Sequence, residues 1–225
     1  MHISIIIPAL NEANAIETTL RHVARCAPHA ERIVVDGGSG DGTMELAAAH
    51  ARVLRATAGR AMQLNAGARA ARGEWLLFLH ADTRLPPDFQ VALRDAAEQG
   101  YDVGAFSLAI RGRHPLLPLL AWGANLRSRW RGIALGDQAP FMRRRFFDQR
   151  GGFPELALME DYAFFRALRR DGIGFYLSPQ RVETSGRRWD VSGFWRTWWQ
   201  MRLLRRLFDR GGHPGDLAAR YRHIR

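Results

Sequence analysis

Acidic and amide side chains follow three apolar segments of this sequence, at the points where the segments end. Asn11 and Glu12 come after the first segment, Asp36 ends the second and Asp82 follows a third. Taken singly, each has an ordinary explanation, such as a helix cap for Asn11 or a loop residue for Asp82. Carboxylates that lie together, however, repel one another unless a cation or a hydrogen-bonding ligand occupies the site. If the segments are neighbouring strands, their ends form a ligand site.

The acidic pair Glu160-Asp161 is a further candidate, and it opens a segment with helical spacing of apolar residues. Two interpretations are open. Acidic side chains at a helix N-terminus interact favourably with the helix dipole. A carboxylate in a cleft can instead accept a proton from a reacting hydroxyl group.

The elements that position these residues alternate along the first half of the chain. Short apolar segments predict strands at residues 3–8, 32–36, near 53 and 74–79. Helical spacing predicts helices at residues 11–27, 41–50, 60–71 and 87–99. Such alternation is typical of an α/β fold in which a Rossmann-like, mostly parallel sheet carries helices on both faces. Ligands bind such sheets at the carboxyl ends of the strands, where the polar side chains lie. Residues 103–110 then alternate like a half-buried strand.

Composition excludes several classes of protein. The 225 residues are 47% apolar and contain no repeat or linker, so we expect a single domain over residues 1–225. All 33 basic side chains are arginine, which excludes a P-loop lysine and Schiff-base catalysis. A single cysteine, no signal-peptide pattern and no apolar run longer than residues 115–124 predict a cytoplasmic protein that does not span a membrane.

The motifs, taken in order, resemble those of family 2 glycosyltransferases with the GT-A fold. The principal matches are Ile5-Ile6-Ile7-Pro8-Ala9-Leu10-Asn11-Glu12, Val35-Asp36-Gly37-Gly38-Ser39, Leu79-His80-Ala81-Asp82 and Glu160-Asp161. Further matches are residues 59–67, 136–138, 151–155 and 187–189. The resemblance implies that residues 1–110 bind a nucleotide-sugar donor and that residues 111–225 bind the acceptor.

The same resemblance assigns the donor site. Pro8, Ala9, Asn11, Glu12 and Asp36 are expected to line the pocket for the nucleotide base, with Asp36 accepting a hydrogen bond from a base N–H group. UDP-sugars are the donor class that the resemblance implies.

A divalent cation, Mg²⁺ or Mn²⁺, is implied at Asp82. The family normally has an Asp-any-Asp motif here, whereas this sequence has His80 in place of the first aspartate. One carboxylate is compatible with metal binding, because Mg²⁺ commonly takes its remaining ligands from phosphate and water. His80 is left with two interpretations, a contact to the ribose or packing.

The resemblance makes Asp161 the catalytic base that deprotonates the acceptor hydroxyl, with Glu160 supporting it. A single displacement of this kind inverts the anomeric centre. Arg60, Arg188 and Trp189 are expected to contact phosphate or acceptor, because guanidinium groups bind phosphate in a bidentate manner and tryptophan offers a flat face to a sugar ring. Asp137 belongs to a matching motif and is included in the donor site.

Positive charge is concentrated in the second half of the chain. Residues 1–110 contain 10 Arg and 12 acidic residues, a net charge of −2, whereas residues 111–225 contain 23 Arg and 10 acidic residues, a net charge of +13. Residues 194–210 form an amphipathic helical pattern with arginines and two tryptophans, Trp195 and Trp199, on one side. This helix can lie on an anionic membrane, as a peripheral protein on the inner face would, or it can cover the core or a dimer interface.

The sequence therefore predicts a metal-dependent glycosyltransferase that uses a nucleotide-sugar donor and a hydroxyl acceptor, with a lipid-linked acceptor favoured by the basic helix. Two alternatives are open. Nucleotidyl transfer also uses carboxylates at strand ends, but it usually needs a lysine-bearing opening loop that is absent here. A non-enzymatic arginine-rich module for membranes or nucleic acid is the second alternative, although no nucleic-acid-binding motif is present and no nucleic-acid partner is expected.

Overall fold

The computed structural model describes residues 1–222, and the side chains of residues 1–218. The strands are β1 (Ile3–Ala9), β2 (Glu31–Asp36), β3 (Arg52–Arg55), β4 (Trp75–Phe78), β5 (Thr83–Arg84), β6 (Val103–Arg111), β7 (Phe141–Arg143) and β8 (Tyr176–Ser185). The helices are α1 (Ala13–Cys26), α2 (Thr43–Ala48), α3 (Arg60–Ala70), α4 (Gln90–Glu98), α5 (Leu117–Arg131), α6 (Arg144–Gln149), α7 (Glu160–Arg170), α8 (Arg187–Ser192), α9 (Phe194–Asp209) and α10 (Pro214–Arg222), with a 3₁₀ turn at Gly136–Gln138. Most predicted helices in the first half are present but shorter at their ends.

The described strands form one sheet in the order β3-β2-β1-β4-β7-β6-β8-β5. The first four strands in this order are mutually parallel. Strand β7 pairs antiparallel with both β4 and β6, whereas β6 and β8 are parallel to each other. The prediction of a mostly parallel α/β sheet is confirmed. The short antiparallel β7 was not predicted, because three residues are too few to show a period.

The strands in the centre of the sheet are apolar on both faces because helices cover both faces. Ile5 and Ile7 of β1 point into a core layer formed with α1 and α4. Ile6, between them, points into the opposite layer, which is formed with α3, α6 and α7. This arrangement explains why β1 shows a continuous apolar run rather than alternation.

Helix α3 lies unusually close to the sheet. A Cβ atom added to Gly67 would lie 2.4 Å from Cγ2 of Ile6, so only glycine fits at this position. The first turns of α3 lie beside the carboxyl ends of β1 and β2, where Gln63 donates to the carbonyl oxygens of Ala9 and Val35. The close approach also explains why the apolar pattern of α3 is weak, since small residues provide the contact.

The second half of the chain departs from the sequence expectations in two places. The apolar stretch at residues 115–124 is the first part of α5. The half-buried alternation expected for β6 is wrong for its first four residues, Val103–Phe106, which are all buried because β6 lies between β7 and β8 in the sheet. No helix within residues 1–222 is long and apolar enough to cross a bilayer.

Candidate active site

The ends of β1 and β2 are joined by hydrogen bonds through the side chain of Asn11. Its backbone is left-handed, with φ of 55°, and its N–H donates to Oγ of Ser39 at 2.9 Å. Its side-chain oxygen accepts from the N–H of Gly40 at 3.0 Å, and the N–H of Glu12 donates to Oγ1 of Thr43 at 2.8 Å. Asn11 therefore holds the glycine-rich loop after β2 in place. The capping position of α1 is occupied by Glu12, not by Asn11.

Asp36 is fully buried at the end of β2, and its two carboxylate oxygens differ. Oδ2 accepts hydrogen bonds from the N–H groups of Gly38, at 2.8 Å, and Ser39, at 3.0 Å. Oδ1 is buried and has no hydrogen-bond partner within the part of the chain that the structure describes. Because a buried acceptor requires a donor, this oxygen fits the N–H group of a nucleotide base. Ala9, buried at the end of the neighbouring β1, and the partly buried Pro8 flank it.

Gln63, on α3, links the ends of β1 and β2. It was not among the residues that the sequence predicted for the site. Its Nε2 donates to the carbonyl oxygens of Ala9, at 2.8 Å, and Val35, at 2.7 Å. The side chain is 4% exposed and also limits the space over Gly37. Its only signal in the sequence was its place in the matching segment 59–67, because helical spacing does not distinguish a buried glutamine from an exposed one.

Asp161 lies beside His80 in a second group of polar residues. Its Oδ2 accepts a hydrogen bond from the N–H of Gly136 at 2.7 Å, and its Oδ1 accepts from the N–H of Tyr162 at 2.6 Å. A Cβ atom added to Gly136 would lie 2.5 Å from Nε2 of His80 and 3.4 Å from Oδ2 of Asp161. His80 therefore packs closely against Gly136, and the 3₁₀ turn lies between the end of β4 and the start of α7.

Glu160 and Arg60 form an ion pair at the edge of this group. Nη1 of Arg60 lies 3.5 Å from Oε1 of Glu160, and the Glu160 side chain is only 2% exposed. Burial raises the pKa of Glu160, Arg60 opposes this shift, and Asp161 adds to it. Interaction with the helix dipole contributes at this helix start, but it does not account for two adjacent acids being buried.

Asp137 extends the acidic group toward α5. Burial raises the pKa of Asp137, while Arg127 opposes the shift and Asp161 adds to it. Its Oδ1 is buried and accepts no hydrogen bond from the described residues. Gln138 holds the turn, since its Oε1 accepts from Arg127 at 3.1 Å and from Ser128 at 2.8 Å. Gln138 and Arg127 were not singled out in the sequence, because their contacts depend on where α5 lies.

Asp82 is partly exposed just beyond β4, two residues after His80. It takes part in no ion pair and in no side-chain hydrogen bond within the described chain. The structure groups no three His, Cys, Asp or Glu side chains of residues 1–218 as metal ligands. A single carboxylate can serve a metal whose other ligands are phosphate and water oxygens. The metal role of Asp82 stays a prediction.

Arg188 and Trp189 lie on α8, which follows β8. Trp189 packs against Phe194 of α9, with ring centroids 5.4 Å apart. The neighbouring Arg187 approaches the β1 end instead, with Nη2 3.9 Å from Oε2 of Glu12. The start of the C-terminal helices therefore lies close to the candidate donor pocket.

This arrangement places the candidate residues in two groups, at the ends of β1 and β2 and at the end of β4 next to the start of α7. Residues 4–173 match the family model described as Glycosyl transferase family 2. The chain belongs to glycosyl transferase family 2. This confirms the family that the motifs indicated, and with it the prediction of an enzyme of the glycosyltransferase class.

Several curated relatives are undecaprenyl-phosphate 4-deoxy-4-formamido-L-arabinose transferases. The protein from Aeromonas hydrophila is 34% identical over 114 residues, which are 45% of this chain and 35% of the relative. The protein from Pseudomonas aeruginosa is 26% identical over 224 residues, which are 92% of this chain and 63% of the relative. The chain thus spans about one third to two thirds of the length of these relatives.

Solved structures confirm the GT-A fold. The mannosyltransferase PcManGT from Pyrobaculum calidifontis, in complex with GDP-Man and Mn²⁺, has a TM-score of 0.66 at 21% identity. The match covers 90% of this chain and 61% of the PcManGT chain. S. aureus TarS 1-349, in complex with UDP-GlcNAc, has a TM-score of 0.63 at 20% identity. The match covers 82% of this chain and 58% of the TarS chain. At these identities the likeness concerns the fold.

Proposed function

We propose that this chain transfers a sugar from a nucleotide diphosphate donor to an acceptor hydroxyl group, with inversion at the anomeric carbon. The observation that carries the proposal is the buried acidic group at the end of β4. Glu160 and Asp161 are buried together beside Asp137, and Asp36 is buried at the end of β2 of the same sheet. Buried carboxylates are costly, and they persist mainly where a ligand or a reaction uses them.

Asp161 is the proposed base. Each of its oxygens accepts one backbone hydrogen bond, which fixes the carboxylate but leaves lone pairs for a substrate proton. As the acceptor oxygen bonds to the anomeric carbon, its proton passes to Asp161, and the bond from that carbon to the diphosphate oxygen breaks. Glu160 supports Asp161 from the adjacent position and is held by Arg60.

Asp82 is the proposed metal ligand for Mg²⁺ or Mn²⁺, at the exit of β4 and on the side of His80. The cation, when bound, offsets the charge that grows on the departing diphosphate. Support comes from the partly exposed carboxylate, which no described side chain pairs with, and from the Mn²⁺ complex of PcManGT. With one protein carboxylate, we expect weak metal binding until the phosphates of the donor are present. A UDP-sugar is the proposed donor, in line with the UDP-GlcNAc complex of TarS.

The test is nucleotide release from a panel of nucleotide sugars, with Mn²⁺ or Mg²⁺ and lipid extracts as acceptors. Asp161→Asn should retain donor binding yet transfer about 100-fold more slowly or worse, because general base catalysis contributes about 100- to 10,000-fold. Asp82→Ala should lose the metal dependence of donor binding. Asp88→Ala, which replaces an exposed carboxylate on the following loop, is the matched control and should behave as wild type. If the wild-type protein shows no metal-dependent release of nucleotide, the result would contradict the proposal and favour a non-enzymatic binding module.

A lipid acceptor at an anionic membrane surface is the second part of the proposal. Several large apolar side chains of α5 and α9 are exposed, among them Trp122, Trp130, Trp195 and Trp199, at 59% to 75%. Tryptophans beside arginines suit the headgroup region of a bilayer. The names of the undecaprenyl-phosphate transferases point to the same class of acceptor.

Sedimentation with phosphatidylglycerol vesicles tests the membrane surface. Trp195→Ser combined with Trp199→Ser should reduce the bound fraction several-fold, because two exposed aromatic anchors are lost. Neutral phosphatidylcholine vesicles are the control for charge and should bind wild type weakly. Equal sedimentation of wild type and the double variant would show that α9 does not contact the bilayer.

A further inference from the structure

A cavity of about 220 Å³ lies between α5, the start of α7 and α9. The basic residues that line it come from two helices. They are Arg127 and Arg131 from α5, and Arg202, Arg205 and Arg206 from α9. Tyr162, directly after Asp161, forms part of the wall. The cavity therefore adjoins Asp161 of the candidate active site.

The arginines in the lining of this cavity outnumber its carboxylates, five to one. Asp209 is in the lining, but it already pairs with Arg166 at 2.6 Å and accepts from the Tyr162 hydroxyl at 3.1 Å. The five arginines of the lining form no ion pair with a carboxylate within the described residues. Burial lowers the pKa of Arg127 and of Arg205, Asp137 opposes both shifts, and nearby arginines add to them. An anion is the group that would relieve this repulsion.

A second arginine-lined cavity shows what a balanced arrangement looks like in the same protein. It lies at the opposite end of the strands, beside the residues that precede β1 and β4, and its arginines are Arg72, Arg143, Arg144 and Arg145. Arg143 pairs with Glu74 and with Asp102, and Arg145 pairs with Asp102 at 3.3 Å. Arginine content alone therefore does not single out the cavity near Asp161, whereas the absence of an ion pair from each of its five arginines, among the described residues, does.

Two contacts connect the cavity to the reacting groups. Arg127 donates from Nη2 to Gln138 at 3.1 Å, in the same 3₁₀ turn whose Gly136 N–H donates to Asp161. Tyr162 donates its own N–H to Asp161 and extends its ring toward Asp209. A group held by the arginines would thus lie next to the base that receives the acceptor proton.

We infer that this cavity binds a phosphate group of the acceptor substrate, so that the acceptor is a phosphorylated molecule. The inference rests on the proposed function, because the cavity is assigned to the acceptor through its place beside Asp161. Guanidinium groups recognise phosphate by charge-assisted, bidentate hydrogen bonds. The exposed tryptophans of the same two helices would accommodate a lipid attached to that phosphate.

The test uses Arg202→Gln combined with Arg206→Gln, two exposed side chains whose loss should not unfold the chain. The matched control is Arg196→Gln combined with Arg210→Gln, which removes the same charge from exposed positions of the α9 segment outside the cavity lining. Farnesyl phosphate below its micellar concentration, farnesol and UDP are titrated into each protein by calorimetry. Thermal unfolding checks that every variant is folded.

Wild type and the control should bind farnesyl phosphate, and farnesol at least about 10-fold more weakly, because one charge-assisted hydrogen bond is worth about this factor. The cavity variant should bind farnesyl phosphate about 100-fold more weakly, with UDP affinity unchanged. Equal affinity of the cavity variant and the control would overturn the inference, as would equal binding of farnesol. If the cavity variant loses binding to phosphatidylglycerol vesicles and wild type does not bind farnesyl phosphate, the cavity binds bilayer headgroups. This outcome would also overturn the inference. If wild type binds farnesyl phosphate through these arginines but binds no nucleotide, the proposed function fails while the phosphate site stands.

Discussion

Gly136 offers the most direct test of the active-site geometry, because its missing side chain determines where His80 and Asp161 lie. In Gly136→Ala, the new Cβ atom would lie 2.5 Å from Nε2 and 3.1 Å from Cε1 of His80. The closer contact is about 1 Å shorter than a normal nonbonded separation. Either the imidazole ring or the 3₁₀ turn must move, and movement of the turn weakens the hydrogen bond from its N–H to Asp161.

The magnitude follows from these two effects. Overpacking of this kind costs about 1 to 3 kcal/mol. Partial weakening of a hydrogen bond to a buried carboxylate adds about 1 kcal/mol, less than the value of the whole bond. We therefore expect Gly136→Ala to lower the free energy of unfolding by about 2 to 4 kcal/mol, and for a chain of this size each kcal/mol lowers Tm by about 2 to 4 °C. Transfer activity should fall as well, since Asp161 loses its fixed orientation.

Removal of the clashing ring should rescue the alanine. In the background of His80→Ala, Gly136→Ala should cost less than about 1 kcal/mol, so urea unfolding of the four proteins should give a coupling energy of about 1 to 3 kcal/mol. Gly123→Ala on α5 is the control, because no atom lies within 4 Å of its added Cβ, and it should be neutral or slightly stabilising. If Gly136→Ala costs the same with and without His80, the inferred packing of these residues is wrong.

Two further predictions concern buried carboxylates. Asp36→Asn should keep the hydrogen bonds from Gly38 and Ser39 but place an N–H group where the donor of a base is expected. The affinity for UDP, measured by calorimetry, should therefore fall at least about 10-fold, with little change in Tm. An unchanged affinity would exclude this oxygen from the base pocket. Because burial raises the folded-state pKa of Asp137, its contribution to stability is present at low pH and is lost as the pH rises through that pKa. The free energy of unfolding of Asp137→Asn, measured in urea relative to wild type, should therefore increase as the pH rises above about 4, the ordinary pKa of an aspartate. A difference independent of pH would contradict the burial of this carboxylate.

The sequence was informative where burial imposes a regular pattern. Strand β1 appears as a continuous apolar run because both of its faces are covered, and its end could be located from Pro8 and Asn11. The acidic pair Glu160-Asp161 was visible because it opens a segment with helical spacing of apolar residues. The ordered motifs then indicated the family, which the match over residues 4–173 confirms.

The polar residues that support the site could not be recognised in the same way. Gln63, Gln138 and Arg127 lie in segments whose helical spacing is ordinary, and each acquires its role only from carbonyl or amide groups distant in the sequence. Strand β7 is only three residues long and pairs antiparallel with its neighbours, so no local signal precedes it.

The sequence by itself determined the α/β alternation, the family and the carboxylates that lie at the strand ends, because local periodicity and motif order are properties of the chain alone. Only the tertiary structure decided how those residues are used. It placed His80 against Gly136 beside Asp161, left one oxygen of Asp36 without a donor among the described residues, and brought five arginines of α5 and α9 around one cavity. The physical reason is that packing, burial and charge balance depend on contacts between segments far apart in the chain, which no local pattern encodes.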